Sequence, residues 1–138
     1  NRQPYMEAPR WKKAPTAQQI QVFVRAVLHR EKFSAQPLKE IQSLEPLKAD
    51  FWLQFRACNS MGAHFPAADY TVMWRVTNTD EAAARENALR GRFEAPEADN
   101  RRWEQLKYRG VHLVEAFVIL KRTGWIVGQS DPFKVVIE

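Results

Sequence analysis

The sequence predicts an all-β fold, a two-layer sandwich of immunoglobulin-like type. Three observations carry the prediction. Apolar residues alternate along most of the chain, and a period of two is the mark of a strand. Short apolar runs are separated by clusters rich in Asn, Asp, Gly, Ser and Pro, which end strands and make turns. One run, Val111 to Leu120, is apolar on both faces and so reads as a central strand covered from both sides. Together these give about seven to nine short strands.

Taken in order, residues 1–15 hold three prolines, several cations and few apolar residues. They read as an extended linker entering from an upstream domain, with Trp11 pinning it to the domain or its neighbour. The first residue is Asn1 rather than Met, so the chain is expected to be part of a longer protein, with residues 16–138 as the sandwich domain. Gln18 to His29 is the first predicted strand, with Ile20, Val22, Val24, Ala26 and Leu28 on one face. A short strand near Leu38–Leu44 follows, closed by Pro46. Phe51–Cys58 and Tyr70–Thr77 alternate cleanly. Asn78, Thr79 and Asp80 favour a turn or helix start, and the composition of Asp80–Asn87 predicts a short helical turn. Ala88–Glu94 is strand-like around Leu89-Arg90-Gly91, where Gly91 admits a close backbone approach or a bulge. Tyr108, Arg109 and Gly110 bend the chain into the central strand. Trp125–Gln129 and Phe133–Ile137 are expected to form a final hairpin around Ser130-Asp131-Pro132. The expected core is Ile20, Val22, Val24, Phe55, Val72, Trp74, Leu113, Phe117, Val135 and Ile137.

Composition bounds the chemistry. The single cysteine, Cys58, excludes an internal disulfide and a cysteine-rich zinc site, and a reducing cytoplasm is the expected compartment. The formal net charge of +5 permits an anionic partner, nucleic acid included, but acidic residues are interspersed. There is no signal peptide and no apolar run long enough for a membrane helix. His29, His64 and His112 lack metal-ligand spacing, no glycine-rich phosphate loop is present, and no Ser or Cys sits in a nucleophile motif. No catalytic residue, metal or cofactor is assigned, and the domain is expected not to be an enzyme.

Two stretches can carry ligand chemistry. Tyr108-Arg109-Gly110-Val111-His112 offers an aromatic face, a guanidinium and an imidazole, which suit a base and its phosphates. Leu89-Arg90-Gly91 adds a second guanidinium. The same residues also admit a structural reading. Glu115 is a carboxylate on a central strand and needs a buried cation, for which Arg90 and His112 are the expected candidates. Arg90 is thus left between a phosphate and a carboxylate.

Several runs resemble a known family. Trp74-Arg75-Val76-Thr77-Asn78-Thr79-Asp80-Glu81-Ala82 is similar to a Trp-x-Val-x-Asn-x-Gly-x-x-Ala segment. Leu89-Arg90-Gly91 is similar to Leu-Arg-Gly, and Tyr108 to Glu115 resembles Tyr-x-Gly-x-His-x-Val-Glu. The entry Pro9-Arg10-Trp11 and the tail Gly128 to Val135 follow the same pattern. The family is the adenylyl/guanylyl cyclase and SMODS C-terminal sensor domain, AGS-C. Asp80 stands where the pattern has glycine, a place Asp fills if unusual backbone angles are needed. A threonine expected before the tyrosine is absent, with Gln105, Leu106 and Lys107 in that region. The resemblance implies a sensor domain of bacterial CBASS-type antiviral defence, fused to an upstream nucleotidyltransferase or to an effector such as a nuclease. It implies a nucleotide-like or cyclic oligonucleotide ligand. On that basis Arg90, Tyr108, Arg109 and His112 are expected at the ligand, with Asn78 at base or ribose. The alternative is a non-enzymatic docking module that regulates its neighbour by contact.

Overall fold

The computed structural model describes residues 5–138; the part of the predicted linker at residues 1–4 lies outside them. Ten strands form two sheets, so the fold is an all-β sandwich. The strands are β1 (Phe23–His29), β2 (Lys39–Ile41), β3 (Pro46–Leu47), β4 (Trp52–Cys58), β5 (Tyr70–Thr77), β6 (Phe93–Glu94), β7 (Arg102–Gln105), β8 (Gly110–Leu120), β9 (Trp125–Gln129) and β10 (Phe133–Ile137). One four-stranded sheet runs β2-β1-β4-β7. The other holds six strands in the order β3-β10-β8-β5-β6, with β9 also on β8. The predicted helical turn is α1 (Glu81–Arg85).

The alternation seen in sequence builds the core. Ala26, Leu28, Leu53 and Phe55 face inward from the smaller sheet, and Val72, Trp74, Val76, Val114, Ala116, Val118 and Val135 meet them from the larger. The Trp74 ring is wholly buried, stands 6.2 Å from Phe55, and donates its indole N–H to Asn100 O at 3.1 Å. Burying an aromatic ring while its N–H keeps a partner is how a tryptophan enters a core without a polar penalty.

Some expectations need correction. Ile20 is 41% exposed, because the chain before Phe23 has not yet joined the sheet. Leu113 is half-buried, and Phe117 is buried on the opposite side of β8 from the inter-sheet core. Phe117 is cross-strand to Met73, whereas the core residue Trp74 faces Ala116. The final hairpin does not form. β9 and β10 both run antiparallel to β8 on the same side of it, β9 along Phe117–Leu120 and β10 along Gly110–Val114. They are one strand interrupted at Ser130, whose N–H and Oγ both bond the backbone of Ala116. At eleven residues, β8 is long enough to take both as partners.

The outer face of the larger sheet is covered by the N-terminal segment. Glu7 N–H donates to Gly91 O at 2.7 Å, and Lys12 O and Ala14 N–H bond the backbone of Ile126. Trp11 packs edge-on against Phe93 at 5.0 Å, under the Arg10 guanidinium. A side chain at Gly91 would collide with Tyr5 O, so glycine is needed there for a close backbone approach. Beneath this cover lie Phe117, Ile119 and Ile126, and among them the buried charges.

Candidate functional site

Glu115 is buried and paired, but its partner is Arg75. The guanidinium grips the carboxylate with two bonds of 2.9 and 3.0 Å. Register explains the choice, since Arg75 is directly opposite Glu115 in the β5–β8 ladder. His112 lies three residues away on the other face of β8, and Arg90 is engaged elsewhere. Arg75 is further held by Glu7 O at 2.8 Å and lies over the rings of Phe93 and Phe117, so every face of the pair is covered.

Arg90 sits at the open edge between the two sheets. Its Nη1 donates to Glu104 Oε1 at 2.9 Å and its Nη2 to Glu94 Oε2 at 2.8 Å. Arg102 reaches the other oxygen of Glu104 through Nε at 2.7 Å. Arg102 and Glu104 face inward because β7 alternates, which turns Trp103 outward. Glu94 belongs to the larger sheet and Glu104 to the smaller, so Arg90 is an ionic clasp between layers. Burial opposes its charge, but Glu104 and Glu94 outweigh that and raise its pKa above the ordinary value.

Asn78 is buried at the end of β5. Its backbone exchanges two hydrogen bonds with Arg90, of 3.0 and 3.1 Å, and its Oδ1 accepts from Asp80 N–H at 3.3 Å. Asp80 has φ −71° and ψ 161°, ordinary extended backbone, so it does not replace glycine through unusual angles. It precedes α1, and its carboxylate accepts from Val111 N–H. Gly110 has φ +120°, and a Cβ there would stand 2.0 Å from Asp80 Oδ2. The bend before β8 is therefore locked to the helix by a carboxylate that only a glycine admits.

His112 is 1% exposed and faces the interior. Its Nε2 bonds Tyr108 O at 2.7 Å, which makes Nε2–H the donor and leaves Nδ1 buried without a partner. Burial lowers its pKa, against a smaller opposing pull from the Tyr108 carbonyl, so the imidazole is neutral near pH 7 and adds no charge for a phosphate. Arg109 is exposed and makes no ion pair among the described residues. It opens onto a groove of about 670 Å³ lined also by Asp80, Glu81, Arg85, Gly110 and Glu138. Tyr108, half-buried, is the neighbouring residue on the bend.

The structure thus gathers Arg90, Tyr108, Arg109, His112 and Asn78 around one bend, in two tiers. Arg109 faces the groove. Arg90, His112 and Asn78 lie beneath and are committed to protein partners. Glu94, Arg102 and Glu104 escaped the sequence reading, although charges at alternate positions 102 and 104 around a tryptophan signal an inward-facing polar pair. Among the described residues no group of three or more His, Cys, Asp or Glu could hold a metal ion, and no helix is long and apolar enough to cross a membrane.

Comparison with known proteins gives no match among curated proteins or solved structures. One family model, described as Adenylyl/Guanylyl and SMODS C-terminal sensor domain, matches residues 2–138. It spans both sheets, the clasp and the bend, and the chain belongs to this family of C-terminal sensor domains.

Proposed function

We propose that this sensor domain reads a nucleotide-like anion, of the cyclic oligonucleotide class, and reports it to an upstream nucleotidyltransferase or effector nuclease in CBASS-type bacterial defence. In this reading the domain works in the cytoplasm and performs no catalysis of its own. The observation that carries it is the exposed Arg109, with no ion pair among the described residues, at a groove that Arg109 and Gly110 of the bend help to line. A guanidinium fork suits phosphate oxygens, and the adjacent aromatic ring suits a base. Arg90, His112 and Asn78 then act as positioning residues. They hold the bend against the clasp, through Tyr108 O on one side and the Asp80–Val111 bond on the other.

A second reading, docking against the neighbouring domain, draws support from the same groove. Its charged lining includes Asp80, Glu81 and Glu138 against Arg85 and Arg109, and Arg85 is already paired with Glu81. A basic segment of a partner would match that balance. Calorimetric titration with a panel of cyclic di- and trinucleotides separates the two. Binding by the wild type that is lost in Arg109→Gln, at unchanged melting temperature, supports sensing at the groove. No binding of any panel member at high micromolar concentration favours docking.

A further inference from the structure

Three arginines stand side by side on the outer face of the smaller sheet. Arg25 and Arg56 are direct cross-strand partners on β1 and β4. Phe55 pairs with Arg102 on β7, so Arg101, the residue just before β7, continues the same row beside Arg56. Adjacent strands are roughly 5 Å apart, which puts like charges where they repel. A fold tolerates such a row when counter-ions are supplied.

Among the described residues, only one of the three is ion-paired. Arg25 is held by Glu40 through bonds of 2.8 and 2.6 Å. Arg56 spends only its Nε, on Gln54 Oε1 at 2.6 Å, which aims the fork, and its two terminal nitrogens make no hydrogen bond among the described residues. The Arg101 guanidinium makes no hydrogen bond or ion pair among the described residues. Arg56 is half-buried, and burial, with Arg101 and Arg25 beside it, lowers its pKa, as expected of a cation facing other cations. All three line one cavity of about 130 Å³, roughly the room of four waters, with His64 and Asp99 also in its wall. Two carboxylates oppose an anion there: Asp99, which lines the cavity and makes no ion pair with the three arginines among the described residues, and Glu40, which is held by Arg25 and also acts on Arg56.

We propose that Arg56 and Arg101 form an anion site that binds a phosphate group of a nucleotide-type ligand, on the layer opposite the groove. Two guanidinium forks converging on a cavity of this size match the oxygens of one phosphate, and Gln54 presets one of them. The source is either a terminal phosphate or a bridging phosphodiester of a single strand. The site stands independently of the groove, because Arg109 takes no part in it.

The test is a thermal-shift and calorimetric titration of the chain with inorganic pyrophosphate and, separately, a short single-stranded oligothymidylate. The variants are the double substitution Arg56→Gln with Arg101→Gln, and the double substitution Lys121→Gln with Arg122→Gln, at two exposed positions away from the cavity, as a charge-matched control. Both probes are expected to raise the wild-type melting temperature through mass action. The double variant is expected to bind at least tenfold more weakly, with the control unchanged. Stronger binding of the oligonucleotide identifies a phosphodiester strand, and equal or stronger binding of pyrophosphate identifies a terminal phosphate. Without ligand, the double variant loses the Arg56–Gln54 bond together with the repulsion, so each ligand-induced shift is read against that variant's own ligand-free melting temperature. Equal affinity in wild type and double variant, or an equal loss in the control, overturns the proposal. So does the absence of any wild-type response to either probe.

Discussion

The Arg75–Glu115 pair shows how little a residue's chemistry says until its face is known. A carboxylate on a central strand demands a cation, and that demand is legible in sequence. The partner is not, because several cations are near in sequence and only register decides among them. Glu115→Gln leaves the Arg75 guanidinium buried without its counter-charge, and breaking such a pair costs about 3–5 kcal/mol. A urea midpoint unchanged by this substitution would show that the pair contributes nothing. The two buried histidines give a pH dependence of defined sign. Burial lowers the pKa of both His29 and His112, with Arg56 adding to the effect at His29. The unfolded chain therefore takes up protons more readily than the folded one. Stability is full above the unfolded value of about 6.5 and falls as the pH drops from there through the folded values. His29 packs against Trp103 at 4.7 Å, and among the described residues neither ring nitrogen reaches hydrogen-bond geometry, with the Ser34 backbone opposing the effect of burial less strongly. His29→Phe is thus expected to raise the urea midpoint and flatten the acid slope. A slope as steep as wild type would assign the dependence to other groups.

Strands with one clean alternation were readable as elements, and those that share a partner were not. β5 occupies Tyr70–Thr77, the span its period of two predicts. β8 is visible as a strand buried on both faces. β9 and β10 look like a hairpin because Ser-Asp-Pro is turn chemistry, and local chemistry cannot reveal that a long strand offers two successive seats. β6, of two residues, lies at the end of the strand-like span Ala88–Glu94, whose predicted centre forms only an isolated bridge between Arg90 and Asn78. The turn Gly110–Asp80 is similar. The glycine suggested a bend, but the carboxylate it admits lies 30 residues away in sequence. Gly110→Ala is expected to destabilise the fold by roughly 1 kcal/mol or more, since it adds left-half backbone strain to the loss of the Asp80–Val111 bond. Equal thermal stability of that variant would mean that the bend relaxes freely. At the core, Trp74→Ala is expected to cost about 3–5 kcal/mol, read from the urea midpoint. An unchanged midpoint would contradict its place between the sheets.

At the scale of the molecule, two sheets are joined by an apolar interior and, at one open edge, by the Arg90 clasp. The bend at Tyr108–Gly110 is tied to the interior through His112 and to the helix through Asp80. Of the ligand candidates, the cluster around the bend was legible from spacing and from the family pattern, but its division into an exposed tier and a buried tier was not. That division depends on Glu94 and Glu104, which reach Arg90 from different sheets. A ligand held at Arg109 is expected to act on this junction. Hydrogen exchange of the chain, with and without the cyclic oligonucleotide that binds tightest, tests it directly. Slowed exchange is expected at Val111 and in the segment from Leu106 to His112, together with β7 and the Arg90 strand pairing, and not at β2. Exchange unchanged at the bend in the presence of bound nucleotide would contradict the claim.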